Sequence, residues 1–320
     1  MKRLLWADSL KGFLILLVVL GHCIQYAPGM DYESDSLWNL IYSFHMSAFM
    51  CVSGYLNYRM EGMKDRPRLL WRRFQQLMVP FLIWSLVAAC FSYPLVLSKF
   101  VHTVVHPETR FWFLWALFWV IVFFVGTDWV AEKLRVRQEY CEVAVALALV
   151  GTLVVTKFGL FGFNLIAHFF LFFLFGYFFR KYEDRLPKNA WLLVALTILW
   201  AVLAWLRPFD AGSVLYYPYR FATAFAICYV LLSIGPKLLN KPTWANNALA
   251  SIGAVSLGIY VVHLLYCAAL TGAIPTALGI DSPWLIVLIA FVAVFASAYC
   301  IVWLLNSNKY TARFLLGKLG

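Results

Sequence analysis

The sequence predicts an all-α integral membrane protein, a polytopic bundle of about ten transmembrane helices in a single domain over residues 1–320. Two of the supporting observations are compositional. Hydrophobic residues make up 63% of the 320 and charged residues only 13%, and the mean hydropathy is +0.79, well outside the composition of soluble domains. The third is the length of the apolar runs. They are long enough to cross roughly 30 Å of hydrocarbon as helices, and they are longer than the strands of a membrane β-barrel.

The apolar runs follow one another along the chain without a polar linker, a low-complexity tract or a convincing repeat. In lipid, backbone amides and carbonyls must bond within their own segment, which a helix achieves. We therefore predict one helical domain. The predicted spans lie at about 5–26, 37–56, 77–97, 111–129, 142–158, 163–179, 190–206, 219–235, 252–274 and 284–305.

The formal net charge of +11 is best explained by membrane topology. With a cytoplasmic N-terminus, 21 of the 26 Lys and Arg residues fall in inner segments, as expected because cytoplasmic loops concentrate basic residues. The sequence therefore predicts that both termini are cytoplasmic and that nucleic acid is not a partner. The five basic residues left on the outer side are Lys99, Arg110, Lys157, Arg207 and Arg220.

Three outer connections are candidate openings for an external substrate. Segment 27–36 is acidic, whereas 98–110 and 207–219 are aromatic and polar. The alternative is an aromatic belt at the membrane interface, which needs no substrate. The residues open to either interpretation are Trp38, Trp112, Tyr216, Tyr217 and Tyr219.

The first predicted span carries two ionisable residues, Lys11 and His22, in the run LKGFLILLVVLGHC. Eleven residues of α-helix rise about 16 Å over about three turns, so both side chains project from the same face. Asp8 lies one turn before Lys11 and is its candidate ion-pair partner. Charged groups inside a span are costly and usually face a cavity with a task. The alternative is a snorkelling Lys11 and a His22 that only bonds a neighbouring helix.

Two further spans place histidines inside the membrane. His45, in FHMSAFMCVSGY, is predicted at about the depth of His22, and His263 lies in the ninth span. A neutral imidazole with an ordinary pKa near 6.5 accepts a proton at neutral pH, as a base must before a hydroxyl attacks an acyl group. Helix packing is the alternative for His263, and it is the favoured interpretation of His168 in the sixth span.

No metal site is predicted. His102 and His106 have the spacing of a metal pair, but Glu108 is the sole obvious third ligand and the segment is an outer loop. The sequence also lacks a G-x-S-x-G elbow and a glycine-rich phosphate loop. Any anionic cosubstrate must therefore be bound by charged side chains.

Together, these segments resemble acyltransferase family 3, the bacterial membrane O-acyltransferases, and most closely the short stand-alone branch of sugar O-acetylases. The resemblance runs over nearly the whole chain. It rests on WADSLKGFLILLVVLGHC, FHMSAFMCVSGYL, RRFQQLMVPFLIW, FWFLWALF and SLGIYVVH.

The resemblance implies transfer of an acyl group, usually acetyl from cytoplasmic acetyl-CoA, to a hydroxyl of a cell-surface glycan or its lipid-linked precursor. It implies a multi-pass protein of the bacterial inner membrane that modifies envelope polysaccharide. His22 and His45 would be catalytic, and Lys11, Arg72 and Arg73 would bind the CoA phosphates. The supporting family positions are Asp8, Tyr260 and His263.

Three positions depart from the family pattern. Lys11 stands where Arg is common, and a lysine cannot bind a phosphate bidentately. Ser47 replaces the proline that usually follows F-H-M. Gln76 stands where a second arginine often follows Arg73, and the arginines left to compensate are Arg72 or, upstream, Arg66 and Arg68.

The residues leave two mechanisms and two other classes of protein open. His22 would deprotonate the acceptor hydroxyl or carry the acetyl group as an acyl-imidazole, with His45 orienting the acceptor or stabilising the oxyanion. The rival is a transporter or flippase in which Lys11, His22 and His45 handle anions or protons. A scaffold protein would leave the ionisable face of the first span unexplained. Membrane lipids are partners in every case.

Overall fold

The computed structural model describes residues 4–58, 65–91, 93–155, 160–209, 213 and 215–319. All regular secondary structure in these ranges is helical, which confirms the predicted all-α class. The basic residues Lys2, Arg3, Arg59, Lys64 and Lys157, used above for topology, lie outside the described residues.

Fifteen α-helices are found in the described part of the chain. They are α1 Leu5–Tyr26, α2 Ser36–Tyr42, α3 His45–Asn57, α4 Arg66–Arg73, α5 Val79–Cys90, α6 Val96–Val105, α7 Trp112–Leu134, α8 Gln138–Val155, α9 Phe163–Lys181, α10 Ala190–Leu206, α11 Tyr216–Leu238, α12 Trp244–Ala254, α13 Ser256–Leu278, α14 Pro283–Asn306 and α15 Lys309–Leu316. A π-helical turn, Phe74–Met78, joins α4 to α5.

Seven helical stretches among the described residues are long and apolar enough to cross a membrane. They are Leu5–Tyr26, Arg66–Cys90, Trp112–Leu134, Leu160–Lys181, Tyr216–Leu238, Ser256–Leu278 and Pro283–Asn306. The protein is therefore a polytopic helical membrane protein, while the count of ten spans and the side of the termini remain predictions.

The predicted second span, 37–56, is not one continuous helix. It is divided into α2 and α3 between Tyr42 and His45. At the break, the Ser43 hydroxyl donates to the Leu40 carbonyl at 2.7 Å and accepts from the Trp200 indole at 2.9 Å. Asp35 begins α2 by accepting the Trp38 amide at 2.7 Å, a side-chain N-cap.

The described chain forms two compact units. The first comprises Met1–Val52 and Tyr182–Leu304, and the second comprises Ser53–Lys181 and Leu305–Gly320. The prediction of a single domain remains a prediction.

In the first unit, α1 packs closely against α12 and α13. A Cβ atom on Gly12 would collide with the Leu249 carbonyl oxygen, and one on Gly253 would collide with the Asp8 carbonyl oxygen. The Ser9 hydroxyl donates to the Asn246 carbonyl at 2.8 Å across the same crossing. Small residues thus let two backbones touch, as is common between membrane helices.

In the second unit, α7 packs against α8 and α9 around an aromatic core. Phe170, Phe172 and Phe173 of α9 are completely buried. Gly54 lies against the Phe173 carbonyl, where no Cβ atom fits. Burial of such rings supplies most of the contact area that holds helices together.

Candidate functional site

The ion pair predicted at the start of the first span is present. Lys11 Nζ lies 2.6 Å from Asp8 Oδ1, and the two side chains are 26% and 14% exposed. Helix α1 continues without a break to Tyr26, so its geometry places His22 about 16 Å further along the axis on nearly the same face. One helix therefore carries an ion pair toward one end and an imidazole toward the other.

His22 packs directly against His263 of α13. Their ring centroids are 5.4 Å apart. His263 is completely buried, and its Nδ1 lies 2.8 Å from the Ile259 carbonyl. Because a carbonyl only accepts, Nδ1 must carry the proton, and in the neutral ring Nε2 keeps a lone pair. That Nε2 and the Nδ1 of His22 are buried with no hydrogen-bond partner among the described residues.

His45 has the same protonation pattern and the same kind of local contact. Its Nδ1 lies 2.7 Å from the carbonyl of Ile41, four residues earlier, just as the Nδ1 of His263 lies 2.8 Å from that of Ile259. Nδ1 therefore carries the proton and Nε2 has the lone pair of a base. His45 is 4% exposed, as a group inside a helix bundle should be.

Tyr42, which sequence analysis did not single out, links these histidines. Its ring lies 4.8 Å from that of His45 and 6.5 Å from that of His22. Its hydroxyl donates to Gln25 Oε1 at 3.2 Å. In the sequence, Tyr42 stands three residues before His45. This spacing predicts a contact only within one continuous helix, and α2 ends at Tyr42.

The structure thus brings His22 and His45 to the ring of Tyr42 and His263 to the ring of His22, all in the first unit. Tyr260, one turn before His263, contacts its ring with a 6.1 Å centroid separation and is 5% exposed. His168 belongs to the second unit, where its ring packs on Phe169 and Phe172. The described residues contain no group of three or more His, Cys, Asp or Glu side chains placed to hold a metal ion.

The predicted CoA-binding arginines belong to the second unit. Arg73 donates to Gln76 Oε1 at 2.9 Å and to Asn57 Oδ1 at 3.3 Å. Gln76, the departure from the family pattern, therefore orients Arg73 rather than replacing a cation. Arg72, its neighbour, is exposed.

Arg66 was one of the residues suggested above to compensate for Gln76, and the structure argues against it. Its guanidinium lies 2.7 Å from Asp128 and 2.5 Å from Glu132. Two carboxylates already neutralise this arginine, so it offers little charge to a phosphate. Arg68 is exposed and remains a candidate.

The first unit contains a cavity of about 580 Å³, none of whose described lining residues is a histidine. It joins two of the three predicted openings, since its lining residues include Glu33 from one segment and Arg207, Phe209, Tyr216 and Tyr219 from the other. Tyr42 forms part of its wall and contacts His45. The cavity is also lined by Trp38, Tyr216 and Tyr219. The sequence alone is equally consistent with a place for these three residues in the aromatic belt.

Helices long enough to cross a bilayer define an integral multi-pass membrane protein, and its first unit holds a cluster of histidines. Residues 4–303 match the family model of acyltransferase family 3, described as an acyltransferase domain. The chain belongs to this family and is a membrane acyltransferase.

Two relatives carry the same name. Nodulation protein NolL of Sinorhizobium fredii is 26% identical over 344 aligned residues, covering 97% of this chain and 91% of that protein. Nodulation protein NolL of Mesorhizobium japonicum is 32% identical over 123 residues, covering 35% of this chain and 32% of that protein. No solved structure matches the chain.

Proposed function

We propose that the protein transfers an acetyl group from cytoplasmic acetyl-CoA to a hydroxyl of a cell-surface glycan or its lipid-linked precursor, in the bacterial inner membrane. The observation that carries this proposal is the pair of adjacent imidazoles, His22 and His263, each with a buried nitrogen that has no hydrogen-bond partner among the described residues. In a membrane acyltransferase, such nitrogens are the groups available to take a proton from a hydroxyl.

The reaction replaces a thioester by an ester. The acceptor oxygen attacks the acetyl carbonyl carbon, the C–S bond breaks, and the hydroxyl proton passes through the imidazole to the departing CoA sulfur. In one route His22 is the general base for this attack. In the other, His22 attacks first, releases CoA and carries the acetyl group to the hydroxyl.

The neighbouring histidines support His22 in either route. His263 Nδ1 is held by Ile259 and His45 Nδ1 by Ile41, so each ring has a fixed orientation with Nε2 as acceptor. Fixed orientation matters because a catalytic group placed in advance avoids the entropy cost of finding its position.

The family resemblance implies that Lys11 binds a phosphate of the donor, and it implies the same role for Arg72 and Arg73 of the second unit. From Lys11, the acetyl-pantetheine arm would extend along the direction of α1 toward His22. With the N-terminus cytoplasmic, Lys11 lies toward the donor side and His22 toward the acceptor side. A donor made inside and an acceptor outside would explain why one helix carries ionisable groups toward both ends.

The test uses labelled acetyl-CoA with membranes that contain the wild-type chain and matched membranes that lack it. We expect label in the glycan or lipid fraction, released by mild alkali as an O-ester would be. The proposal fails if acetyl-CoA stays intact although expression is confirmed and several acceptors are supplied. That result would favour the transporter hypothesis. Membership of an acyltransferase family already favours transfer over transport. The assay distinguishes the two classes because a transporter leaves the thioester intact.

Exchanging Asp8 and Lys11 separates a structural role of the ion pair from a role in donor binding. The double variant Asp8→Lys with Lys11→Asp keeps opposite charges one turn apart, so we expect a near-normal yield of folded protein. The KM for acetyl-CoA should rise about 10-fold, since a charge-assisted contact to phosphate is lost. An unchanged KM in the folded double variant would contradict donor binding by Lys11.

A further inference from the structure

The cavity of about 580 Å³ has the size of a small-molecule site. Its wall comes from α2, the end of α10 and the start of α11, all within the first unit. Through Tyr42 the wall reaches His45 and His22. A molecule in the cavity would therefore be separated from these two histidines by the ring of Tyr42.

One side of the cavity is aromatic. Trp38 stacks on Tyr42 with a ring separation of 3.9 Å and an interplanar angle of 21°. The indole N–H of Trp38 is buried and has no acceptor among the described residues. Aromatic faces are negative at the centre and attract polarised C–H groups, which the face of a pyranose ring presents.

Two arginines, Arg207 and Arg220, line the same cavity. Arg207 donates to the backbone carbonyl of Glu33 at 3.2 Å, and Arg220 donates to the Tyr216 hydroxyl at 2.7 Å. These neutral acceptors leave the positive charges in place. In the part of the chain that the structure describes, neither guanidinium forms an ion pair with a carboxylate, although Glu33 also lines the cavity.

Membrane topology does not explain these two arginines. They belong to the five basic residues that fall on the predicted outer side, where Lys and Arg are under-represented. Arginine is the usual residue for binding phosphate and carboxylate, because its planar fork gives two parallel hydrogen bonds. Their convergence on one cavity therefore indicates an anionic ligand.

We infer that this cavity is the acceptor site, and that the acceptor is a sugar ring bearing a negative charge, phosphate or carboxylate, close to the ring. This inference rests on the proposed function. The ring would lie against Trp38 and Tyr42 with one hydroxyl directed to the histidines. The anionic group would be bound by Arg207 and Arg220.

Binding to the purified full-length protein in detergent, without an acyl donor, tests the inference. The probes are a hexose 1-phosphate, a hexuronic acid, the neutral methyl hexoside and inorganic phosphate, followed by quenching of tryptophan fluorescence and by calorimetry. We expect one charged sugar to bind at least about 10-fold more tightly than the neutral sugar and than inorganic phosphate. Which of the two charged sugars binds more tightly identifies the anionic group.

Arginine variants supply the matched comparison. Arg207→Gln and Arg220→Gln should each weaken binding of the charged sugar about 10-fold and leave the neutral sugar within about 2-fold. Arg220→Lys should recover part of the loss, because it restores charge but not the fork. Arg313→Gln, at an exposed arginine of the second unit, is the control and should bind like the wild type.

Equal binding of charged and neutral sugars, or arginine variants that bind like the wild type, would overturn the inference. Inorganic phosphate binding as tightly as the charged sugar would also overturn it, since no sugar subsite would then exist. Arginine-dependent binding of a charged sugar that is never acetylated would instead uphold the binding site and refute the proposed transfer. The two failures are thus distinguishable.

Discussion

Replacing His22 with alanine is expected to lower acetyl transfer at least about 100-fold, in the range that a positioned acid–base group contributes. The reason is geometric. His22 is the histidine on the same helix as the Asp8–Lys11 pair, and its Nδ1 is buried with no partner among the described residues. Transfer is measured as alkali-labile label from acetyl-CoA, at equal amounts of folded protein.

The control is His102→Ala, which removes an exposed histidine of the second unit and should leave transfer unchanged. A folded His22→Ala protein that acetylates within a few-fold of the wild type would refute both routes. A second experiment on the wild-type protein distinguishes the two routes. The protein is mixed with labelled acetyl-CoA in the absence of acceptor, and the reaction is quenched rapidly. Label bound to the chain and lost in His22→Ala indicates an acyl-imidazole, whereas an unlabelled but active chain indicates general-base catalysis.

Valine at Gly12 or Gly253 is expected to prevent proper packing of α1 in the first unit. At each position the first side-chain carbon already collides with a backbone carbonyl, of Leu249 and of Asp8 respectively. Backbones in a helix cannot give way as a side-chain tip does, so we expect a loss of at least about 1–3 kcal/mol, the cost typical of overpacking. The measurements are the yield of monodisperse protein after detergent extraction and its thermal midpoint.

Gly272→Ala is the matched control, since this glycine of α13 in the same unit has no neighbour within 4 Å of an added Cβ. We expect Gly272→Ala to give the wild-type yield of monodisperse protein after detergent extraction. A Gly253→Val protein with the wild-type midpoint would show that α1 and α12 do not touch as described. Any valine variant that does fold should also acetylate poorly, because the shifted helix carries His22.

Much of the fold was predictable because it depends on local composition. Apolar runs predicted the all-α class and the core of each candidate span, since a helix in lipid satisfies its own backbone. The three-residue spacing of Asp8 and Lys11 predicted their ion pair, because residues one turn apart share a helix face. The motifs around His22 and His45 indicated the family.

The site required the tertiary structure, because its parts are distant in sequence. Hydropathy did not reveal the break at Ser43, where the Trp200 indole donates to the Ser43 hydroxyl. Nor did spacing indicate that His263 would reach His22.

The sequence by itself determined the class of the protein, its family and its candidate histidines. Tertiary structure decided which histidines meet, and it placed Arg207 and Arg220 on one aromatic cavity. The physical reason is the distance along the chain over which each effect acts. Hydropathy and helical period act over a few residues, whereas contacts between helices depend on packing that joins side chains hundreds of positions apart.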